Sequence, residues 1–545
     1  MARPRLIRRS APLRLLGSLR SCLLGSLRSC LLGSLRSCLL GSLRSFSGRS
    51  APAFSGRSAR WGVACPRYVR GMDTAAIRAS LDHPVIDADG HLVEFLPLVR
   101  DFMVEAGGES LAGGLDRMVA GPAQLRPLDA ATRRTAGISR TGWWGVPARN
   151  TLDRATAMLP GLLYDRLDEI GVDLAILYPT LGLSPMALED DELRRGLAHA
   201  CNRYYAEVYA EYSDRLLPVA IIPSFTPEEA LAELEHAVVE LGLRAVLIGG
   251  LVLRYPEGRE GDRAARWVDA LGLDSAYDYD PVWQRCAELG VTPTFHSTGI
   301  GYGSRTSPTN YVANHIGNFA SGAEAMARSL FFGGVPMRFP DLRFAFHEGG
   351  VAWAATLYAD ICSHWEKRNR DAIAHYDPRN LDRALLEQLV RDRGPGAFAD
   401  RLDRLDETLP FLSDPDEDPA TLDEFASALI DDLASVRRIF TEQYFFGCEA
   451  DDPMNAMAFD AARNPGGARL PAVFASDIGH WDVPDFRGVL GEAWELVDDG
   501  HVSPDDFRDF TFANAVRLWG GTNPAFFRGT VVESAAAGVL GVPAA

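Results

Sequence analysis

The amino-acid sequence predicts a (β/α)8 TIM barrel for residues 72–545, and two observations support that fold class. First, short apolar runs alternate with amphipathic helical segments from about residue 84 onwards, which is the pattern of parallel βαβ units. Second, several of these runs end in an aspartate or a histidine, followed by a turn that contains glycine or serine. In such barrels the active site lies at the carboxyl ends of the strands, so we expect these polar residues at its mouth.

Eight apolar runs supply the strands that the barrel requires, because parallel strands are buried on both faces. The segments between them have helical periodicity. One helix begins at Thr226-Pro227, where proline occupies the first helical position. A helix over 504–518 closes the barrel. The predicted strands cover residues 84–89, 173–178, 216–222, 245–248, 292–296, 343–347, 444–447 and 470–476.

Two long insertions enlarge the predicted barrel. The first insertion, about residues 97–160, is rich in glycine and proline and contains Trp143-Trp144. The second, about residues 365–440, is charged and helical. We assign both insertions to connections between a strand end and the helix that follows it. Both are therefore expected to lie over the catalytic face, as lids or oligomer contacts.

The first 71 residues differ in composition from the rest of the chain. They contain 14 arginines and no aspartate, glutamate or lysine, and Leu-Leu-Gly-Ser-Leu-Arg-Ser-Cys recurs at 15–22, 23–30 and 31–38. An eight-residue period is too short for a solenoid. We interpret the segment as a translated tandem repeat upstream of a start near Met72, outside the fold. A targeting segment of the mitochondrial type and a functional basic arm are the alternatives.

The composition of the remaining residues excludes some classes of partner. The formal net charge is −18 for the whole chain and −32 without the basic segment, so nucleic acid is not an expected partner. No apolar stretch approaches the 18 residues of a membrane span. The four cysteines beyond residue 71 form no CxxC pair, which is typical of reduced thiols in a cytoplasmic protein.

Five residues at the ends of predicted strands are candidates for a metal site. Each of them alone is more often structural than functional. Four separate strands end in such a residue, however, and imidazole and carboxylate groups together bind zinc and similar divalent ions. Within Asp89-Gly90-His91, the first and third residues share one face of a strand. The candidates are Asp89, His91, His296, His347 and Asp477.

These motifs resemble the amidohydrolase-related family of the metal-dependent amidohydrolase superfamily, which includes the aminocarboxymuconate-semialdehyde and γ-resorcylate decarboxylases. The resemblance covers about residues 84–520. The matching stretches are Ile86–Glu94, Asp165–Asp168, Tyr178–Thr180, Asp214–Leu216, Pro281–Gly290 with His296, Arg338–Arg343, His347–Gly350, and Ser476-Asp477 with His480.

The resemblance implies a ligand set and a catalytic residue. Asp89, His91, His296 and Asp477 would bind one divalent ion, with zinc or manganese expected, and His347 would be the acid or base beside the ion and its water. Asp89 departs from the commoner His-x-His motif of the superfamily, although the resorcylate-type decarboxylases also have an acidic residue there. The added carboxylate favours Mn²⁺ or Mg²⁺ relative to an all-imidazole site, and Zn²⁺ remains compatible.

The lysine content predicts that one metal ion binds rather than two. Binuclear members of the superfamily bridge their metals with a carboxylated lysine at the end of the fourth strand. In this chain the fourth run ends in Ile248-Gly249-Gly250, and the single lysine, Lys367, lies in a charged run.

Several other residues have two possible roles. His480 could face the substrate or order its loop. Glu94 and Glu348 could orient the ligand imidazoles or begin helices, and His315 could line the pocket or lie on a helix surface. Arg305 and Arg338 could bind a substrate carboxylate or lie on the surface. Trp143 and Trp144 could form a wall of the pocket or pack within a lid.

The expected function is a metal-dependent, decarboxylase-like enzyme that acts on a small carboxylate. The same residues would serve a hydrolase of a cyclic amide, lactone or ester, in which the metal lowers the pKa of its water and Asp477 or His347 accepts the proton during attack on a carbonyl. A non-catalytic binding barrel is the alternative from another class, although such a protein would be expected to have lost some of the five residues. The expected partners are a small-molecule substrate and a second copy of the chain in a homodimer.

Overall fold

The core of the protein is a sheet of eight parallel strands whose spatial order follows the order along the chain. The computed structural model describes residues 73–140, 148–262, 264–296, 306–316, 318–410 and 421–543. The basic segment 1–71, Trp143, Trp144 and Arg305 lie outside the described residues. The strands are β1 (Ile86–Leu92), β2 (Leu174–Pro179), β3 (Leu216–Ile222), β4 (Ala245–Ile248), β5 (Pro293–Phe295), β6 (Phe344–Phe346), β7 (Tyr444–Glu449) and β8 (Ala472–Ala475).

Contacts between β1 and the end of β8 bring the two edges of the sheet together. The Asp477 amide donates to the Asp89 carbonyl at 3.2 Å, and the His91 amide donates to the Ile478 carbonyl at 3.0 Å. The Asp87 carboxylate also accepts hydrogen bonds from the backbone and the hydroxyl of Ser476. These contacts, together with the helices between the strands, confirm the predicted (β/α)8 barrel.

Helices follow or precede the strands throughout the described residues. Among the described helices, none combines the length and the apolar character needed to cross a membrane. The helices are α1 (Thr74–Ser80), α2 (Leu96–Leu125), α3 (Ala130–Ala136), α4 (Thr151–Met158), α5 (Pro160–Ile170), α6 (Asp191–Val208), α7 (Pro227–Leu234), α8 (Asp280–Leu289), α9 (Tyr311–Ile316), α10 (Phe319–Phe332), α11 (Val335–Arg338), α12 (Ala352–Arg368), α13 (Arg383–Arg393), α14 (Gly396–Ala399), α15 (Glu424–Ser427), α16 (Leu433–Arg438), α17 (Ala456–Phe459), α18 (Val489–Asp498), α19 (Pro504–Arg508), α20 (Asn514–Thr522) and α21 (Glu533–Leu540).

Local sequence explains the ends of several elements. Helix α7 starts as predicted: the Thr226 side chain accepts a hydrogen bond from the Glu229 amide and Pro227 is the first helical residue. Strand β1 is longer than predicted, since it runs to Leu92 and includes a register shift between Asp87 and Gly90. A side chain at Gly90 would collide with the Asp87 carboxylate, so this bulge requires glycine.

The first insertion follows the carboxyl end of β1. Its main element is α2, whose backbone is not helical at Gly107 and Gly108. The Arg140 amide donates to the Ser307 carbonyl at 3.0 Å, and the Asn314 side chain donates to the Arg140 carbonyl at 2.7 Å. Because Ser307 and Asn314 belong to the connection after β5, this insertion extends from β1 to β5 on the side of the barrel where the strands end.

The assignment of residues 365–440 to a connection between a strand end and its following helix is wrong. Helix α12 separates β6 from this segment, which therefore begins where a helix ends. The ring of Phe425, within the insertion, lies 5.7 Å from that of Phe332, the last residue of α10 before β6. Since helices of a βα unit run antiparallel to the strands, the second insertion lies towards the amino ends of the strands, away from the catalytic face.

A two-stranded hairpin, Val252–Arg254 with Trp267–Asp269, lies outside the barrel sheet and was not predicted. It belongs to the connection between β4 and α8. The Arg254 guanidinium donates to the buried Asp269 carboxylate at 2.9 Å and fixes the pair of strands. Strands of three residues are too short to give an alternating pattern in the sequence.

Candidate metal centre

The five predicted residues meet at the carboxyl ends of four strands. Asp89 and His91 lie on β1, His296 directly follows β5, His347 directly follows β6, and Asp477 lies two residues after β8. All five are buried, with at most 7% of any of them exposed. Because parallel strands end at one edge of the sheet, residues nearly 390 positions apart along the chain become neighbours.

Asp89, His91 and His296 form a triangle of ligand atoms. The Nε2 atoms of His91 and His296 are 3.1 Å apart, and each lies 3.5 Å from Oδ1 of Asp89. Ligands held at about 2.0–2.1 Å in a tetrahedral zinc site are separated by roughly 3.3–3.4 Å. Neither carboxylate oxygen of Asp89 has a hydrogen-bond partner among the described residues, although both are buried. The three residues therefore fit a divalent ion between them.

Asp477 lies next to this triangle. Its Oδ1 atom is 3.8 Å from Nε2 of His91, and it is buried without a hydrogen-bond partner in the described part of the chain. The backbone of Asp477 has a φ of 50°, a conformation that is uncommon for a residue other than glycine. Such strained residues concentrate at functional sites, where the surrounding contacts hold them in place.

His347 lies on the opposite side of Asp89. Its Nδ1 atom is 3.4 Å from Oδ2 of Asp89, and its Nε2 atom is 2.9 Å from the hydroxyl of Tyr178 on β2. The Tyr178 hydroxyl donates in turn to Thr294 Oγ1 at 2.8 Å. Sequence reasoning assigned no role in the site to Tyr178, which lies in a stretch that matches the family, or to Thr294. A signal for Thr294 exists, because it is a polar residue in an apolar strand, two positions before His296 and hence on the same face.

Glu348 and His480, which had two possible roles, both join the cluster. Glu348 Oε1 lies 3.8 Å from Nε2 of His91 and 3.4 Å from Nδ1 of His480, while Oε2 lies 3.4 Å from Nδ1 of His296. The rings of His480 and His91 are 3.6 Å apart. Glu348 also has a positive φ, of 57°. Together with Asp477 and His91 these two residues form a second group of close potential ligand atoms.

The remaining candidates lie away from the triangle. Glu94 accepts hydrogen bonds from the amides of Leu181 and Gly182 and from Tyr205, so it anchors the loop after β2. Nε2 of His315 accepts a hydrogen bond from the indole of Trp481, in the loop after β8, at 3.3 Å.

Arg338 does not face the cluster either. It forms two hydrogen bonds of 2.7 Å with Asp280, and both side chains are about one-third exposed. Because this ion pair is partly exposed and points away from the cluster, we assign Arg338 a structural role at the surface.

The electrostatics of the cluster suit a cation. Burial, followed by the charge of Asp89, raises the pKa of Asp477 well above its usual range. Burial also raises the pKa of Glu348 to about 8. Burial opposes the ionisation of Asp89 as well, but the neighbouring His347 and His296 outweigh it and hold that pKa well below its ordinary value. A divalent ion would stabilise the ionised form of all three carboxylates.

The imidazoles are suited to bind metal in their neutral form. Burial, together with the neighbouring His296, lowers the pKa of His91 to about 3. Burial and the neighbouring His91 lower the pKa of His480 well below its ordinary value. Both histidines are therefore neutral at physiological pH, and a neutral imidazole can offer a ring nitrogen to a metal.

A small cavity lies beside His296 and His347. The other residues around it are apolar or small: Gly250, Leu251, Phe295, Gly322, Ala323 and Met326. A side chain at Gly250 would lie 2.8 Å from the ring of Phe295, so this wall of the cavity requires glycine. The two histidines thus form the polar end of an otherwise apolar space.

Comparison with known protein families gives a match that covers most of the barrel. A protein-family model described as amidohydrolase matches residues 86–410, which is more than half of the chain. The matched residues include Asp89, His91, His296 and His347 and end before Asp477.

A curated protein matches part of the chain. It is the 2-amino-3-carboxymuconate-6-semialdehyde decarboxylase of Dictyostelium discoideum, 26% identical over 200 residues. The match covers 36% of this chain, and the chain spans only half the length of that relative.

Two similar solved structures are decarboxylases. The 2,6-dihydroxybenzoate decarboxylase from Rhizobium has 16% identity and a TM-score of 0.43, with 80% of this chain and 98% of that chain covered. A dihydroxybenzoic acid decarboxylase from Polaromonas sp. JS666, with bound manganese and 2-nitroresorcinol, has 18% identity and a TM-score of 0.44, with 80% and 97% covered.

Proposed function

This chain belongs to the amidohydrolase family, and from that premise we propose that it is a metal-dependent, decarboxylase-like enzyme acting on a small carboxylate substrate. Asp89, His91, His296 and Asp477 are proposed to hold one divalent ion, manganese or zinc. His347 is proposed as the catalytic acid or base, and Asp477 as a second group that can accept a proton.

The observation that carries this proposal is the triangle of Asp89, His91 and His296 with His347 beside it. The three ligand atoms are 3.1–3.5 Å apart, and buried carboxylate oxygens of Asp89 and Asp477 have no hydrogen-bond partner among the described residues. Buried polar atoms are normally paired, so a cluster of this kind is best explained by an ion that they share.

The ion, when bound, would supply positive charge that orients a substrate carboxylate or an adjacent oxygen and stabilises negative charge in the transition state. In decarboxylation the bond between the carboxylate and its carbon breaks, carbon dioxide leaves, and the electron pair remains on that carbon. A proton must then reach the carbon. His347 contacts Asp89 of the ligand triangle and also lines the cavity, so its doubly protonated ring could deliver that proton from Nδ1 and return to the neutral form.

The cavity limits the kind of substrate. Its apolar and small residues, Leu251, Phe295, Ala323 and Met326 among them, favour a flat apolar body such as an aromatic ring. A ring placed there would direct its polar substituents towards His296 and His347. We therefore favour small aromatic carboxylates within the proposed substrate class.

Hydrolysis of a cyclic amide, lactone or ester is the second candidate, because it would use the same residues. In that reaction His347 or Asp477 would accept the proton of the attacking water. One observation favours this candidate: the buried Oδ1 atom of Asp477 has no hydrogen-bond partner among the described residues, so it is available to accept that proton. The acidic first ligand Asp89 and the resemblance to decarboxylases favour cleavage of a carbon–carbon bond.

A panel of substrates separates these reactions. The metal-loaded protein would be incubated with hydroxybenzoates, lactones and cyclic amides, and products detected by mass spectrometry. Loss of 44 mass units with carbon dioxide release supports the decarboxylase, whereas gain of 18 units supports the hydrolase. The His347→Asn variant is the control for both reactions. No turnover on any member of the panel, with metal bound, would favour the non-catalytic binding barrel.

A further inference from the structure

A second cluster of potential metal ligands lies on the helices outside the barrel sheet. It consists of His199 on α6, Glu233 on α7 and His236 in the π-helical turn Glu235–Glu240 that continues α7. One ligand atom from each residue lies within 4.8 Å of the other two. None of the three belongs to a strand end, so the cluster is separate from the residues at the barrel mouth.

The three side chains approach closely without pairing fully with one another. The rings of His199 and His236 are stacked, with centroids 3.6 Å apart and planes inclined by 17°. Nδ1 of His199 lies 3.7 Å from Oε2 of Glu233, which is too long for a hydrogen bond. Nε2 of His236 is buried and has no hydrogen-bond partner among the described residues. A buried ring nitrogen without a partner is rare in proteins.

Glu233 and His236 are each held by a hydrogen bond to a further residue. Nδ1 of His236 lies 2.9 Å from Oε2 of Glu240. Because a carboxylate only accepts, this ring nitrogen carries a proton, and in the neutral ring Nε2 then has the lone pair. Oε1 of Glu233 accepts a hydrogen bond of 2.7 Å from Asn202, which leaves Oε2 directed towards His199. Asn202 is itself fixed by two hydrogen bonds to the backbone of Ile221 on β3.

This arrangement is the one that metal ligands adopt in proteins. Ligand imidazoles usually donate their second N–H to a carboxylate, and ligand carboxylates are themselves hydrogen-bonded. Glu233 and His236 are three residues apart, the spacing at which two side chains of one helix bind the same ion. π-Helical turns are also frequent at functional sites.

We propose that His199, Glu233 and His236 bind one transition-metal ion of the zinc class and thereby link α6 to α7. Two imidazoles and one carboxylate favour Zn²⁺, Co²⁺ or Ni²⁺ over Mg²⁺ and Ca²⁺. The His199 side chain is 40% exposed, so its ring can turn out of the stacked position to direct a nitrogen at the ion. Solvent at this exposed edge would supply the fourth ligand.

The test counts metal on the full chain. The protein would be loaded with Mn²⁺, equilibrated with micromolar Zn²⁺, freed of unbound metal by gel filtration and analysed for total metal per chain. Exchange of zinc for manganese at the barrel mouth does not change this total. We expect the His236→Gln and His199→Gln variants each to bind one equivalent less than the unmodified chain. The matched control, His364→Gln, changes an exposed histidine outside the cluster and should bind the full amount.

A second measurement distinguishes loss of the metal site from a general folding defect of the variants. An ion that binds only the folded chain raises its melting temperature, so added Zn²⁺ should raise that of the unmodified chain and of His364→Gln by several degrees more than that of His199→Gln. The His199 side chain is 40% exposed, so we expect its replacement to leave the packing of the helices intact. Equal metal totals and equal zinc-induced shifts in the unmodified chain and in His199→Gln would overturn the proposal.

Discussion

The hydroxyl of Tyr178 lies 2.9 Å from Nε2 of His347, and this contact determines which ring nitrogen faces the metal centre. Thr294 donates its proton to the Val246 carbonyl at 2.7 Å, and Tyr178 donates its proton to Thr294. The Tyr178 oxygen can therefore only accept from His347, so Nε2 of His347 carries a proton. In the neutral ring Nδ1 then has the lone pair, on the side of Asp89.

The first prediction concerns this chain of hydrogen bonds. Tyr178→Phe removes the acceptor of the Nε2 proton, so the His347 ring is no longer held in one orientation and tautomer. A hydrogen bond of this kind contributes about 1–2 kcal/mol, and we expect kcat to fall about tenfold or more while metal content and KM change little. Tyr444→Phe, which removes another buried tyrosine hydroxyl bound to the Ala327 carbonyl, is the matched control. An unchanged kcat in Tyr178→Phe would show that Tyr178 does not position the His347 ring.

The second prediction separates the proposed acid or base from the proposed ligands. His347→Asn should retain the metal while turnover falls by roughly 10²-fold or more, because the ligand triangle is intact and only proton transfer is lost. His91→Ala should lose metal and turnover together. Metal analysis and steady-state kinetics on both variants provide the comparison. Loss of metal from His347→Asn would make this residue a ligand, and near-normal turnover would leave it with a structural role.

The third prediction concerns stability and pH in the metal-free protein. Burial raises the pKa of Glu348 from 4.5 to about 8, so the folded chain retains a proton that the unfolded chain releases within this range. Stability contributed by protonated Glu348 is therefore present at low pH and is lost as the pH rises towards 8. His91, whose pKa is lowered to about 3, acts in the opposite direction only below about pH 6.5.

Melting temperatures between pH 6.5 and 8 isolate the carboxylate effect. The metal-free chain should become less stable as the pH rises, and Glu348→Gln should reduce that slope, whereas Glu366→Gln, a change at an exposed position, should not. Bound metal should reduce the slope too, because the ion stabilises the ionised carboxylate. A slope that is the same in Glu348→Gln as in the unmodified chain would show that Glu348 does not lie in the environment described.

The fourth prediction concerns the basic repeat. Deleting residues 1–71 should leave the folding, metal content and activity of the chain unchanged, since an arginine-rich octad repeat supplies no packed core. Circular dichroism, metal analysis and kinetics on the truncated chain test this. Insoluble or inactive protein after the truncation would mean that the segment takes part in the fold or in its assembly.

Local sequence pattern was sufficient to predict the barrel and the gathering of Asp89, His91, His296, His347 and Asp477 at one edge. Each of them follows or ends an apolar run, and the ends of parallel strands meet wherever the chain places them. The placement depends on strand direction and order alone, which helical connections determine. Side-chain distances are not needed to predict it.

The features that could not be predicted depend on packing between distant elements. The contact of Tyr178 with His347 crosses the barrel interior from β2 to β6, and no spacing along the chain encodes it. The directions of Glu348 and Asp477 follow from positive φ angles that sequence seldom reveals outside glycine. The second insertion was misplaced because the exposed last turn of α12, Glu366-Lys367-Arg368, has the same charged composition as the segment after it.

The central claim is that Asp89, His91, His296 and Asp477 hold one divalent ion at the barrel mouth, and metal content tests it most directly. The count is made in the His199→Gln/His236→Gln background, so that the outer cluster does not contribute. We predict one equivalent of manganese or zinc per chain in this background and none after the further change His296→Ala. Two equivalents in the background, or an unchanged equivalent after His296→Ala, would contradict the claim.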